Sequence, residues 1–151
     1  MKSKTRIIRT PEKALKELER IGKEFGKGPN EVKVGLPRGS NDYPDGTSVI
    51  MVGAVHEFGS DKMNIPERSY LRTTVVEKKK DYKTLFTKLS LRIIEGNMNL
   101  KKALGIIGLQ VQTDVQSKIE SIDSPPLKIR EGNPLIDTGH LRQSITFEVD
   151  E

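Results

Sequence analysis

The spacing of apolar positions changes several times along the chain, and each change marks an element. Ala14, Leu15, Leu18, Ile21 and Phe25 recur at three- and four-residue intervals, which puts them on one face of a helix. Thr10 suits the N-cap, Pro11 the first helical position and Glu12 the positive end of the helix dipole. Gly26-Lys27-Gly28-Pro29 ends that helix. From Glu31 to Leu36 the period falls to two, the mark of a half-buried strand. Pro37 to Gly46 reads as a loop ending in the turn residues Tyr43-Pro44-Asp45-Gly46.

Ser48 to Phe58 is apolar nearly throughout, so periodicity alone does not separate helix from buried strand. Thr47 or Ser48 as a cap and Gly59 as a left-handed terminus favour helix. Ser60 to Arg68 is a loop in which Pro66 imposes extended backbone. A helix is expected from about Thr73 to Ile94, with Tyr82, Leu85, Phe86, Leu89 and Ile93 on one face and Gly96 as its stop. Asn99 should cap the next helix, from about Leu100 to Ser121. Its stripe runs Leu100, Leu104, Ile107, Val111, Val115, Ile119. Gly105 and Gly108 weaken that helix by about 1 kcal/mol each relative to alanine, which makes sense where another element crosses closely. After a Pro-bearing loop, Asp137 or Thr138 should cap a single turn through Leu141. Ser144 to Val149 then alternates as a closing strand. Two lone strands are marginal, so they are expected to pair with each other or with a neighbouring chain.

These elements predict an α+β fold: a small antiparallel sheet packed by two or three amphipathic helices. Residues 10–151 form the single domain, behind a flexible basic arm over residues 1–9. The chain length of 151 residues suits one domain. A globule of this size buries roughly 68–70% of its unfolded surface, enough for one core. That core must be thin and aliphatic, because apolar residues are 34% of the chain, aromatics 5%, and Trp is absent. With no Cys, disulfides, thiol catalysis and cysteine zinc sites are excluded. The longest apolar run, Val49 to Val55, is far below the roughly 20 residues of a membrane span, and the N-terminus lacks a signal-peptide core. The expectation is a protein made in the cytoplasm, with no membrane contact.

The net charge of +5 is uneven: +4 over residues 1–46, +3 over 47–96 and −2 over 97–151. A basic front and an acidic tail suit a nucleic-acid face or subunits that meet head to tail. Lys2, Lys4, Arg6 and Arg9 could contact phosphates, but no aromatic residue interleaves with them to stack bases.

No catalytic constellation emerges. Asp137-Thr138-Gly139 has the form of an aspartic-protease triplet, yet that chemistry shares a proton between two carboxylates. The 12 residues after Gly139 also leave no chain for the rest of a lobe. His56-Glu57 would open a zincin motif only with His at position 60, where Ser60 stands. Gly22 to Lys27 is one residue short of a P-loop and ends a helix instead of beginning one. No metal or cofactor is expected.

Three segments carry a family likeness. His56-Glu57-Phe58-Gly59-Ser60 is followed by Ile65-Pro66-Glu67-Arg68-Ser69-Tyr70-Leu71-Arg72, and later by Pro134-Leu135-Ile136-Asp137-Thr138-Gly139-His140-Leu141-Arg142-Gln143-Ser144-Ile145. Together they resemble the virion-morphogenesis and tail-completion (neck) proteins of tailed bacteriophages. That family's patterns are E-F-G-T/S, I-P-x-R-P-F-L-R and P-L-x-D-T-G-x-L-x-x-S-I. The likeness runs from about Val32 to Val149. Ser69 replaces the family's second proline and Tyr70 its phenylalanine. The resemblance implies a non-enzymatic, ring-forming virion subunit that completes the tail or joins it to the head connector. Its partners would be other copies of itself and tail-tube, tail-terminator or head-connector proteins. The assembly candidates are Glu57, Phe58, Gly59, Ile65, Pro66, Arg68, Tyr70, Leu71, Asp137, Thr138, Gly139, Leu141, Ser144 and Ile145. The alternative from the charge pattern is a basic nucleic-acid-binding module, with DNA contacts that are not sequence-specific.

Overall fold

The computed structural model describes residues 10–26, 31–127 and 131–150. The basic arm expected over residues 1–9 lies outside them. Seven elements follow in order: α1 (Pro11–Gly26), β1 (Val32–Gly35), α2 (Val49–Phe58), α3 (Leu71–Ile94), α4 (Leu100–Ser121), α5 (His140–Ser144) and β2 (Thr146–Val149). The fold is mostly helical, with one two-stranded antiparallel sheet, β1 against β2. Its register pairs Val32 with Val149 and Val34 with Phe147. The strands therefore pair with each other, which the expectation had left open against a neighbouring chain.

Helix α4 is the spine. Its N-terminal half packs Leu100, Ala103 and Leu104 against Leu89 and Ile93 of α3 and against Met98. Its C-terminal half packs Val115 and Ile119 against Val49, Tyr70, Leu135, Leu141 and Ile145. The sheet crosses α4 between these clusters. Gly108 makes that crossing possible: a Cβ there would stand 2.4 Å from Phe147 Cδ2 and 2.8 Å from Val32 Cγ2. Nothing lies within 4 Å of a Cβ at Gly105, so only one of the two expected close approaches exists. Val32 and Val149 lie against one cluster and Val34 against the other, so both belong to one domain.

Asn99 caps α4 as expected, its Oδ1 accepting Lys102 N–H at 2.8 Å. Several expectations are corrected. Helix α3 starts two residues earlier than the expected Thr73, at Leu71, for a reason given below. Phe86, expected on its buried face, is exposed. The N-cap of α5 is Gly139, in the left-handed region (φ 78°), rather than Asp137 or Thr138. Thr138 Oγ1 accepts His140 N–H at 3.3 Å, a bond within the turn. Ser144 and Ile145, expected in the closing strand, end α5 and enter β2 instead. Ile145 has extended backbone but caps α5 instead of pairing: its N–H donates to the Arg142 carbonyl at 3.3 Å and its carbonyl accepts Gln116 Nε2 at 3.2 Å.

Helix α1 forms as the spacing predicts, but its apolar face is only partly covered: Ala14 and Ile21 are half-buried, and the rest is exposed. Leu15 and Leu18 are 60% and 65% exposed. Two polar residues attach the helix to the α3–α4 corner. Arg20 donates to the Ile93 and Ile94 carbonyls at the end of α3, at 3.3 and 2.8 Å. Glu24 accepts Leu100 N–H at the start of α4. Each satisfies backbone groups that a helix end leaves without an internal partner.

Candidate functional site

The first two likeness segments build a joint between α2 and α3. Glu57 lies in the last turn of α2, on the face it shares with Val49 and Gly53, and is 4% exposed. A buried carboxylate is costly unless hydrogen bonds compensate it. Here it accepts Tyr70 N–H and Leu71 N–H, both at 2.9 Å, Arg72 N–H at 3.0 Å and Ser69 Oγ–H at 2.8 Å. These backbone donors are the free N–H groups at the start of α3, so Glu57 acts as that helix's cap from another helix. This is why α3 begins at Leu71. Burial opposes the charge on Glu57, but the Leu71 and Arg72 N–H donors, with Ser69 and the Arg72 side chain, outweigh it and hold the carboxyl below its ordinary range.

Arg72 closes the joint from outside. Its Nε donates to Glu57 Oε1 at 3.0 Å, and its Nη2 donates to the Glu57 carbonyl and to Glu67 at 2.8 Å each. Its guanidinium lies 4.6 Å over the ring of Phe58. Gly59 turns the chain with φ 73° and ψ 173°, a region open essentially to glycine and not the left-handed terminus expected. A Cβ at Gly59 would also stand 2.9 Å from Glu67 N. Ser60 and Ile65 exchange backbone bonds of 2.8 and 2.9 Å, closing a small exposed hairpin before Pro66.

Arg68 is buried and turns inward. Its Nε donates to the Pro125 carbonyl at 2.7 Å and its Nη2 to Pro126 at 3.3 Å, so it anchors the loop after α4. Its own N–H donates to the His56 carbonyl at 2.8 Å. Burial, and then the Arg68 charge, push the His56 pKa down. His56 Nδ1 is a buried polar atom with no hydrogen-bond partner among the described residues.

The third segment lies on the same core. Leu141 and Ile145 join Tyr70 in the cluster below α2. Leu36, Tyr70 and Leu141 crowd Gly53, where a Cβ would stand 2.3 Å from Leu36, 2.8 Å from Tyr70 Oη and 3.3 Å from Leu141. Ser144 Oγ donates to the His140 carbonyl at 2.9 Å. His140 Nε2 lies 2.7 Å from the Asn41 carbonyl and donates to it, and its ring lies 4.6 Å from that of Tyr43. Burial, then Asp137 and Asp45, push the Tyr43 pKa up.

Of the candidate residues, Glu57, Arg68, Tyr70, Leu71, Leu141 and Ile145 thus work as capping, anchoring or packing groups. Phe58, Pro66, Asp137 and Thr138 are exposed, while Gly59, Ile65, Gly139 and Ser144 are half-buried. Sequence reasoning missed Asn133. Its Nδ2 donates to the last carbonyls of α4, on Ile119 and Glu120, while its Oδ1 accepts Leu135 and Ile136 N–H. An Asn one residue before Pro134 in a polar loop was the available signal. Also missed was Tyr82, whose hydroxyl donates to Asp114 at 3.0 Å across α3 and α4.

Among the described residues no group of three or more His, Asp or Glu could hold a metal ion. No described helix is long and apolar enough to cross a membrane. Comparison with known proteins returns no match to a family model, a curated protein or a solved structure.

Proposed function

We propose that this chain is a structural virion subunit of a tailed bacteriophage, completing the tail or joining it to the head connector. One observation supports the reading most. The three likeness segments, two of them neighbours in sequence and the third near the C-terminus, converge on one joint and one core. Glu57 caps the helix that Tyr70 begins, and Tyr70 packs with Leu141 and Ile145. Their charged residues are spent on holding elements together, and their exposed members, Phe58 among them, face outward. That is the economy of a rigid assembly part without a reaction centre. Its partners would be further copies in a ring and the tail-tube, tail-terminator or head-connector proteins. It would be made in the host cytoplasm and end in the neck or tail of the particle. In a phage lysate lacking this chain, filled heads and tails should accumulate unjoined or with incomplete tails, and added purified protein should restore infectious particles. Normal particles in its absence would overturn the reading.

A second reading, a basic nucleic-acid-binding module, draws on α3. Lys79, Lys80 and Lys83 are exposed there, with Lys88 and Arg92 further along. Retardation of duplex DNA at ~150 mM salt, with steep salt dependence, would favour it.

A further inference from the structure

Two apolar helix faces lie open at opposite ends of α3. Arg20 and Glu24 fix α1 at the C-terminal end of α3, and Glu57 fixes α2 at its N-terminal end. Leu71 and Ile93 are about 33 Å apart at 1.5 Å per residue. On α1, Leu15, Leu18 and Phe25 share an arc with Pro11 and Gly22, and Gly22 leaves a gap in the stripe. On α2, Ile50, Met51, Ala54 and Phe58 share the arc opposite the buried Val49, Gly53 and Glu57; Met51 is 63% and Phe58 64% exposed. Both helices are amphipathic or apolar by sequence, yet among the described residues each leaves uncovered a stripe that folding ordinarily buries.

We infer that these faces cover each other in successive copies of the chain, the α1 stripe of one protomer seated on the α2 face of the next. Two observations favour a second copy as the occupant. The faces differ from each other and sit at opposite ends, the arrangement a head-to-tail contact needs and a two-fold one does not. Their surroundings are also opposite in charge. Residues 88–102, beside the α1 attachment, carry four basic and one acidic groups, whereas residues 37–72, around α2 and including the Arg72 that lies over Phe58, carry four basic and five acidic groups. Charge of that kind orients the encounter, and the apolar stripe supplies the affinity. The Gly22 gap offers room for a projecting ring such as Phe58. The contact deepens the assembly reading above and rests on it for its setting.

The absence of Cys makes the test clean. One preparation carries Glu19→Cys, beside the α1 stripe, and another carries Ala54→Cys, in the middle of the α2 face. Mixed and oxidised, they should form the 19–54 disulfide in preference to 19–19 or 54–54, by about tenfold, because docking raises the local thiol concentration. Adding Leu15→Glu and Leu18→Glu to the first preparation should remove that preference. So should adding Met51→Glu to the second. All three positions are exposed, and circular dichroism would verify that each variant folds. A random mixture of pairs, a dominant 19–19 or 54–54 species, or no cross-link at all would overturn the contact. Because the assay contains only purified chain, such a failure leaves the virion reading to its own test in the lysate.

Discussion

The Glu57 carboxylate accepts both the backbone and the side-chain N–H of Arg72, each at 3.0 Å, so one residue of α3 grips the end of α2 twice. The same carboxylate holds the two N–H groups before it. Glu57→Gln keeps the volume but turns one acceptor into a donor facing donors. It should destabilise the protein by about 2 kcal/mol, because buried backbone donors lose their partner. Urea denaturation followed by circular dichroism measures this, and an unchanged midpoint would remove Glu57 from its capping role.

The two helical glycines of α4 should behave oppositely. Gly108→Ala forces a Cβ against Phe147 and Val32, and should cost about 1–3 kcal/mol through overpacking. Gly105→Ala meets open space and should stabilise by up to about 1 kcal/mol through helix propensity. Equal effects in thermal unfolding would contradict the crossing of sheet and helix at Gly108.

Acidification should weaken the fold in two windows. Burial, then the neighbouring Arg68, lower the His56 pKa below 6.5, so the unfolded chain binds that proton more readily. Stability from neutral His56 is present above about pH 6.5 and falls as pH drops from there toward the folded-state value. Glu57 is also depressed, below 4.5, so its contribution is lost at lower pH, from about 4.5 downward. His56→Gln should flatten the upper window and leave the lower one. A stability profile level from pH 7 to 5 in the unsubstituted chain would contradict the burial of His56.

Arg20→Ala should separate attachment from folding. The side chain is partly exposed, so the global cost should stay near or below about 1 kcal/mol. Amide exchange in α1 should rise, while exchange in α4 should not. Unchanged α1 exchange would show that other contacts secure that helix.

The helices were legible in the sequence because helix formation reads short-range information: spacing, caps and stops. Pro11, Asn99 and the 3–4 repeat from Leu100 to Ile119 sufficed for α1 and α4. The alternation at Val32 and Phe147 likewise announced both strands, though not that they pair with each other. The start of α3 was not legible, because its cap arrives from 13 residues upstream through Glu57, and no local pattern encodes that. The α5 boundary was missed for a related reason: Ile145 alternates like a strand residue, but its N–H and carbonyl bond to Arg142 and Gln116 instead of to a strand. Gly105 and Gly108 are equivalent by propensity; only the path of β2 makes one of them irreplaceable. Amphipathicity foretold that α1 has a face to bury. It did not foretell that Arg20 and Glu24 turn the opposite side inward, because two charge-assisted bonds to exposed helix ends decide that orientation, and they exist only once α3 and α4 meet.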